Sequence, residues 1–358
     1  MPKNVILGSG LIGLLAKLIL PEDFIFVPFG FSRFYRYNIP LLDDHIIVSD
    51  TASKYMTQLG VRPSQLMYKK SFSHNGNLFK GDDISLMKLW LNKITDNDFP
   101  DHAASVMAFD SRFIYDSSCS TIYRTLFNKY QNHLKTSIEY GAVTKIDCAN
   151  RVITFDRGMK LDYDIAVSCI PLDILSNLCN IKTELAYAPS SFLHLQSDSI
   201  DLEGSNQALV SDQLIDFYKV TWLGRNEYIF SFKNRVDDYG MYLLPIIGSA
   251  DIIQATSVAN VIPIGDPADL SKFEKHDIYP VGQTAQHDIA LDVCSTIGRI
   301  DKLKESWIGG YRAMIDARTE SEQLAASLRH QAEDVETARL KWDEFRNGLN
   351  IQQQSLRL

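Results

Sequence analysis

Gly8-Ser9-Gly10-Leu11-Ile12-Gly13 is the stretch whose residue types and spacing point most directly to chemistry. Glycines at this interval let a chain leave a strand in a tight turn (Gly8), bring backbone close to a pyrophosphate (Gly10) and pack the next helix hard on its sheet (Gly13). The diphosphate of a dinucleotide would rest on the free amides at that helix's N-terminus, where the macrodipole favours negative charge. All six residues are expected contacts, and a purely structural glycine turn is the alternative. After its second strand such a fold normally offers an acidic residue to the adenosine ribose. Here Pro28-Phe29-Gly30 stand in that place. The ribose is then left to the backbone and Ser32, or Arg33 and Arg36 serve a phosphate-bearing ribose, or the arginines belong to a solvated loop. Tyr218, Lys219 and Arg225 are candidates for holding an anionic substrate, although residues of this kind on a sheet are often simply solvated. Asp43-Asp44-His45 invites a metal, but nothing elsewhere completes a ligand set, so no metal site is expected.

These residues need elements to position them. Val5-Ile6-Leu7 reads as a buried strand, residues 11–20 as a helix broken at Pro21-Glu22-Asp23, and Phe24-Ile25-Phe26-Val27 as a second buried strand. Residues 38–70 show no clear periodicity. Asn75-Gly76 supplies the positive-φ pair of a tight hairpin. Asp82-Asp83 precede an amphipathic helix carrying Ile84, Leu86, Met87, Leu89, Trp90, Leu91 and Ile94. A further helix from Thr121 to Lys135 places Ile122, Leu126, Tyr130 and Leu134 on one face, and with the hairpin it reads as the start of a substrate domain. Strands follow at 138–147, at Arg151–Phe155, and from Leu161 to a stop at Pro171. Residues 185–262 alternate apolar and polar side chains, as an antiparallel sheet with one covered face does. A last helix is expected through Ile289, Leu291, Val293 and Ile297. Beyond Lys302 the chain is helical and highly charged, with Ser321, Leu324, Leu328, Gln331, Val335, Ala338, Trp342 and Phe345 at heptad spacing. That spacing suits a helix packed on its own domain, or a homodimer through the C-terminal helices.

The chain has 358 residues, 45% of them hydrophobic and 22% charged, which is ample core material for a globular protein of two domains, or of one with a large insertion. A formal net charge of −8 argues against a surface that holds nucleic acid by neutralising phosphates, without excluding a local basic groove. Cys119, Cys148, Cys169, Cys179 and Cys294 lack CxxC spacing, a pattern of reduced cytoplasmic thiols rather than zinc ligands or a disulfide framework. No run reaches the length of a membrane span.

Four segments together resemble the FAD-dependent flavoprotein family that includes amine oxidases, protoporphyrinogen oxidase and UDP-galactopyranose mutase. They are the opening glycine turn; Gly141-Ala142-Val143-Thr144-Lys145-Ile146; Tyr163-Asp164 to Ile170-Pro171-Leu172; and Tyr279-Pro280-Val281-Gly282-Gln283-Thr284-Ala285-Gln286-His287-Asp288. Phe217 to Thr221 is also similar to the mutase sheet. The resemblance implies FAD as cofactor, with Val143 against the adenine and a flavin-contacting turn at Gly282, Gln283, Gln286, His287, Asp288 and Ile289. It makes His287 the first candidate for acid or base work, with a satisfied structural histidine as the alternative. Gln283 stands where the family usually has arginine and His287 where it has an aromatic residue.

The implied fold is α/β, a Rossmann-like FAD-binding domain (GR2 type) with an inserted α+β substrate domain containing an antiparallel sheet, and C-terminal helices. In this scheme the FAD-binding domain takes residues 1–70, 137–180 and 263–302, a helical and hairpin insertion 71–136, the substrate sheet 181–262, and a helical extension 303–358. The implied activity is a cytoplasmic FAD-dependent oxidoreductase acting on a C–N or C–C bond of a small molecule. One alternative is a redox-neutral lyase or isomerase on a sugar nucleotide or an amino-acid-modified nucleoside. The other is a non-enzymatic nucleotide-binding protein that recruits a partner.

Overall fold

A computed structural model describes residues 3–27, 45–81, 83–96, 112–138, 140–224, 226–233, 250–265, 267–288 and 291–307. It falls into two units, Met1–Asp301 and Lys302–Leu358. In the second, only 302–307 are described, and they are helical.

The first unit opens with β1 (Lys3–Leu7), α1 (Leu11–Ile19) and β2 (Ile25–Val27). Buried Lys17 closes the turn between α1 and β2 by donating from Nζ to the Glu22 carbonyl at 2.8 Å. Next come β3 (His45–Ile47), α2 (Asp50–Met56) with a 3-10 turn at Thr57–Leu59, and β4 (Pro63–Tyr68). Sequence periodicity showed none of these. They are short, and α2 is set by a cap, Ser49 Oγ accepting from the Ala52 amide at 3.1 Å. The hairpin of β5 (Lys70–His74) and β6 (Asn77–Lys80) turns on Asn75 and Gly76, both at positive φ as expected. α3 (Ile84–Thr95) is capped by Asp83, which accepts from the Leu86 amide at 3.0 Å.

β7 (Arg112–Ser118) leads directly into α4 (Cys119–Ile138). Here the structure departs from the expected strand over 138–147: the helix runs through Ile138 and β8 (Val143–Asp147) starts only after Gly141. Gly141 has φ +86, and a Cβ there would overlap the Asp156 carboxylate. β9 (Val152–Phe155), β10 (Lys160–Ser168), α5 (Leu172–Cys179), β11 (Ala186–Gln196), β12 (Gln207–Val210), β13 (Phe217–Gly224), β14 (Glu227–Lys233) and β15 (Asp251–Ile264) follow. The unit ends with α6 (Ser271–Glu274), β16 (Ile278–Pro280), α7 (Gln283–Gln286) and a helix beginning at residue 293.

The strands form three sheets. In the first, β2, β1, β10 and β16 are parallel neighbours, while the start of β10 pairs antiparallel with β9, and β9 with β8. One nine-residue strand, β10, therefore belongs both to the parallel sheet and to the β8–β9–β10 meander. α4 packs on α1 and β2, with Tyr130 edge-on to Phe26 at 6.2 Å between ring centroids. The helix read from sequence as the start of a substrate domain thus sits beside the glycine-turn elements. The seven-stranded sheet has the order β15-β11-β14-β13-β12-β5-β6, antiparallel throughout except between β12 and β5. It confirms an antiparallel region over 185–262 and adds the hairpin to it. α3 covers part of one face, burying Leu86, Met87, Trp90, Leu91 and Ile94 against Phe72, Leu209 and Tyr218. β3, β7 and β4 form the third sheet. No helix among the described residues is long and apolar enough to cross a membrane, and none of the five cysteines forms a disulfide.

Candidate cofactor site

β1 delivers the chain to Gly8 at φ +101, where its amide donates to the Val27 carbonyl at 3.0 Å. The three glycines differ in what surrounds them. A Cβ on Gly8 would stand 3.0 Å from Ile170 Cγ2, and a Cβ on Gly13 would overlap the Gly8 carbonyl oxygen. A Cβ on Gly10 would meet nothing within 4 Å. Gly10 has φ −68 and serves as N-cap of α1, whose first turn contains no acidic residue. The first amides of α1, from Leu11 on, lack carbonyl partners within the helix, as at every helix start, and the macrodipole makes this end positive. Two glycines are thus required by packing, and the third opens onto free space before a positive helix terminus.

Ser168 ends β10, paired with Leu7 of β1 on one side and Pro280 of β16 on the other. This is the carboxyl edge of a parallel sheet, the place where open α/β folds hold ligands. Ser168 is fully buried, and its Oγ has no hydrogen-bond partner. From β16 the chain passes through Val281, whose amide donates to the Ser168 carbonyl at 2.8 Å, to Gly282 at φ +103. A Cβ on Gly282 would lie 3.4 Å from the Ile12 side chain, so this turn abuts the first turn of α1. Gln286 is 4% exposed, and its Nε2 also lacks a partner. A buried polar group left unpaired costs on the order of 1–3 kcal/mol. Two such atoms near an open helix terminus suit a polar, diphosphate-bearing group. The residues present therefore fit the FAD expected from the sequence.

The expected helix start at 286–288 is not observed. α7 is a single turn that begins after Gly282, and the next helix begins at 293, so Leu291 precedes it. His287 caps α7 at φ +51 and is 2% exposed. Its Nε2 lies 2.8 Å from the Ala186 carbonyl, a partner that can only accept, so this nitrogen carries hydrogen. The ring meets Tyr187 edge-on at 4.9 Å. One ring nitrogen thus has the satisfied bond that the structural one of the two sequence readings expects. Asp288 donates its amide to the Gln283 carbonyl at 3.0 Å.

Tyr187 carried no sequence signal, yet it ties the neighbourhood together. Its hydroxyl accepts from the Leu172 amide at 3.2 Å and donates to the Thr284 carbonyl at 2.8 Å. Burial, reinforced by Asp173, pushes this phenol well above its ordinary range, so it remains a donor. Burial likewise raises the Cys169 thiol, one residue beyond Ser168.

Val143 is the buried first residue of β8, placed on the meander that β10 shares with the parallel sheet. Tyr218, one of the candidates for holding an anionic substrate, lies in the core. A bulge between Phe217 and Lys219 turns it toward α3, where it is 4% exposed with its hydroxyl 2.9 Å from Ser190 Oγ. Its carbonyl accepts from Trp90 Nε1 at 2.7 Å. Lys219 is half-buried. Ser32, Arg33, Arg36, Arg225 and Ile289, with Asp43-Asp44, lie outside the described residues. A polar cleft of about 730 Å³ between α5, residues 180–185 and Lys272 contains no residue of either turn.

No protein-family model and no curated protein sequence matches this chain. Solved structures do match its fold. Reduced UDP-galactopyranose mutase aligns over 86% of this chain and 94% of its own, with 12% identity and a TM-score of 0.62. Cyclohexylamine oxidase from Brevibacterium oxydans IH-35A aligns over 85% and 100%, with 9% identity and a TM-score of 0.56. A CLA-producing fatty acid isomerase from P. acnes aligns over 84% and 97%, with 11% identity and a TM-score of 0.53.

Proposed function

We propose that this chain, which carries the fold of UDP-galactopyranose mutase and the amine oxidases, is an FAD-dependent flavoenzyme, an oxidoreductase acting on a C–N or C–C bond of a small molecule. The observation that carries the reading is the contrast at the glycine turn: packing demands Gly8 and Gly13, whereas Gly10 opens onto free space at the positive end of α1. Glycine also serves as an N-cap, but serine, threonine, asparagine or aspartate would cap as well, and glycine alone places no side chain in front of the free amides.

In this reading the amides from Leu11 to Gly13, with Ser9 beside them, hold the diphosphate. Val143 offers backbone to the adenine, and Gly282, Gln283 and Gln286 border the ring end. FAD, when bound, supplies the exchange of hydride or electron pairs with substrate. His287, with Nε2 committed to the Ala186 carbonyl, orients the turn rather than carrying a proton. The parallel sheet, the meander, α4 and residues 263–302 form the FAD-binding part, and the seven-stranded sheet with α3 walls the substrate side. The test is an absorption spectrum of the purified chain with mass analysis of the released molecule. The visible absorption of a flavin and the mass of FAD are expected; a colourless protein that takes up no added FAD overturns the proposal.

A second reading is redox-neutral turnover on a sugar nucleotide or a modified nucleoside. It rests on the fold shared with a reduced mutase, a fold shared also with an oxidase. Oxygen uptake with substrate supports the oxidoreductase; anaerobic turnover that requires reduced flavin and consumes no acceptor supports the mutase-like reaction.

A further inference from the structure

We infer that Tyr187 is a positioning residue for the flavin end of the cofactor, an inference that rests on the FAD reading above. Tyr187 is the second residue of β11 in the seven-stranded sheet, and its side chain reaches out of that sheet to two separate loops. One is the β10–α5 connection, whose Leu172 amide donates to the phenolic oxygen at 3.2 Å. The other is α7, whose Thr284 carbonyl accepts the phenolic proton at 2.8 Å. The ring also packs edge-on against His287 at 4.9 Å, and His287 in turn bonds to the carbonyl of Ala186, the preceding residue of β11.

Both loops reach the glycine-turn elements. The β10–α5 connection contains Ile170, 3.0 Å from where a Gly8 Cβ would stand. The α7 turn contains Gly282, packed on Ile12, and the unpaired Nε2 of Gln286. One hydroxyl thus bonds to both loops, beside the Val281 amide's bond to the Ser168 carbonyl, and α7, only four residues long, has little internal bonding with which to hold itself in place. Tyr187 bonds directly to α7 and reaches the glycine turn only through Ile170 and Gly282, so its influence falls first on the α7 end.

The experiment compares FAD with ADP, which occupies the glycine-turn end alone, by calorimetric titration of full-length chain stripped of flavin, for wild type and Tyr187→Phe. The variant keeps the ring and loses both hydrogen bonds. The expected result is about a tenfold rise in the FAD dissociation constant, equivalent to about 1.4 kcal/mol, with ADP affinity within about twofold. At saturation, the visible circular dichroism of bound flavin should differ from wild type. Equal weakening of FAD and ADP, or no change in either, overturns the positioning role while leaving FAD binding intact. Wild type that binds neither ligand overturns the FAD reading itself. If Tyr187→Phe does not fold, His287→Gln replaces it, because glutamine can still donate to the Ala186 carbonyl. A severalfold loss confined to FAD is expected there, and an equal loss for both ligands or none overturns the inference.

Discussion

At the scale of single residues, the three glycines of the opening turn make opposite predictions. Gly10→Val places its branched side chain where no protein atom lies within 4 Å of the new Cβ, at a φ of −68 open to any residue. Its thermal unfolding midpoint should match that of wild type stripped of flavin, and it should retain no flavin; flavin at normal occupancy would refute the diphosphate assignment. Gly13→Ala drives a methyl into the Gly8 carbonyl, and overpacking of this kind costs about 1–3 kcal/mol. A lowered midpoint is expected there even without cofactor. His287→Ala should act the same way, through the lost bond to Ala186 and the lost ring contact, so stability and flavin retention should fall together; a drop in turnover with both unchanged would restore its acid or base role. The glycines were legible through their spacing between a strand and a helix; Gly8 alone of the three sits at a φ that favours glycine, while Gly13 is fixed by its contact with the Gly8 carbonyl. Tyr187 was not, because a tyrosine near the start of a strand looks like any other until the fold brings residues 172 and 284 to its hydroxyl.

At the scale of elements, α3 is held by more than its apolar stripe. Lys93 is almost fully buried and donates from Nζ to the carbonyls of Asp212 and Phe217 at 2.6 and 2.9 Å. Burial lowers its pKa from 10.5 to about 8. Between these values the unfolded chain holds more protons than the folded one, so Lys93 makes folding stronger as pH rises from 8 toward 10.5; below pH 8 both states are charged and the trend vanishes. Denaturant unfolding at pH 8 and pH 10 should show wild type gaining stability relative to Lys93→Met. A constant difference between the two would disprove the shift. α3 and α4 were both legible from apolar spacing, but their partners were not. The faces that bury Trp90 and Tyr130 are alike in composition, and only the fold sends one to the seven-stranded sheet and the other to β2. Tyr218 failed for a related reason: strand alternation assigns faces by parity, and the bulge at 217–219 shifts parity by one.

At the scale of the whole molecule, the described residues of both turns and all three sheets lie within Met1–Asp301. A chain ending at residue 307 should therefore keep its cooperative unfolding and its flavin; loss of either would assign the remaining segment a structural role. The strand pattern made the antiparallel sheet readable over 185–262 and Asn75-Gly76 made the β5–β6 hairpin readable, but the hairpin's place in that sheet was out of reach, since no local signal announces a parallel pairing with β12. That pairing also sets a schedule. The Lys69 amide meets the Asn206 side chain across 137 positions of sequence. With ribosomes adding about 5–20 residues per second, the newborn hairpin must wait on the order of ten seconds for the strand that completes its edge. Until then the exposed main chain along Lys70–His74 is open to any passing strand, which makes this hairpin the place where a chaperone would be expected to grip the nascent protein.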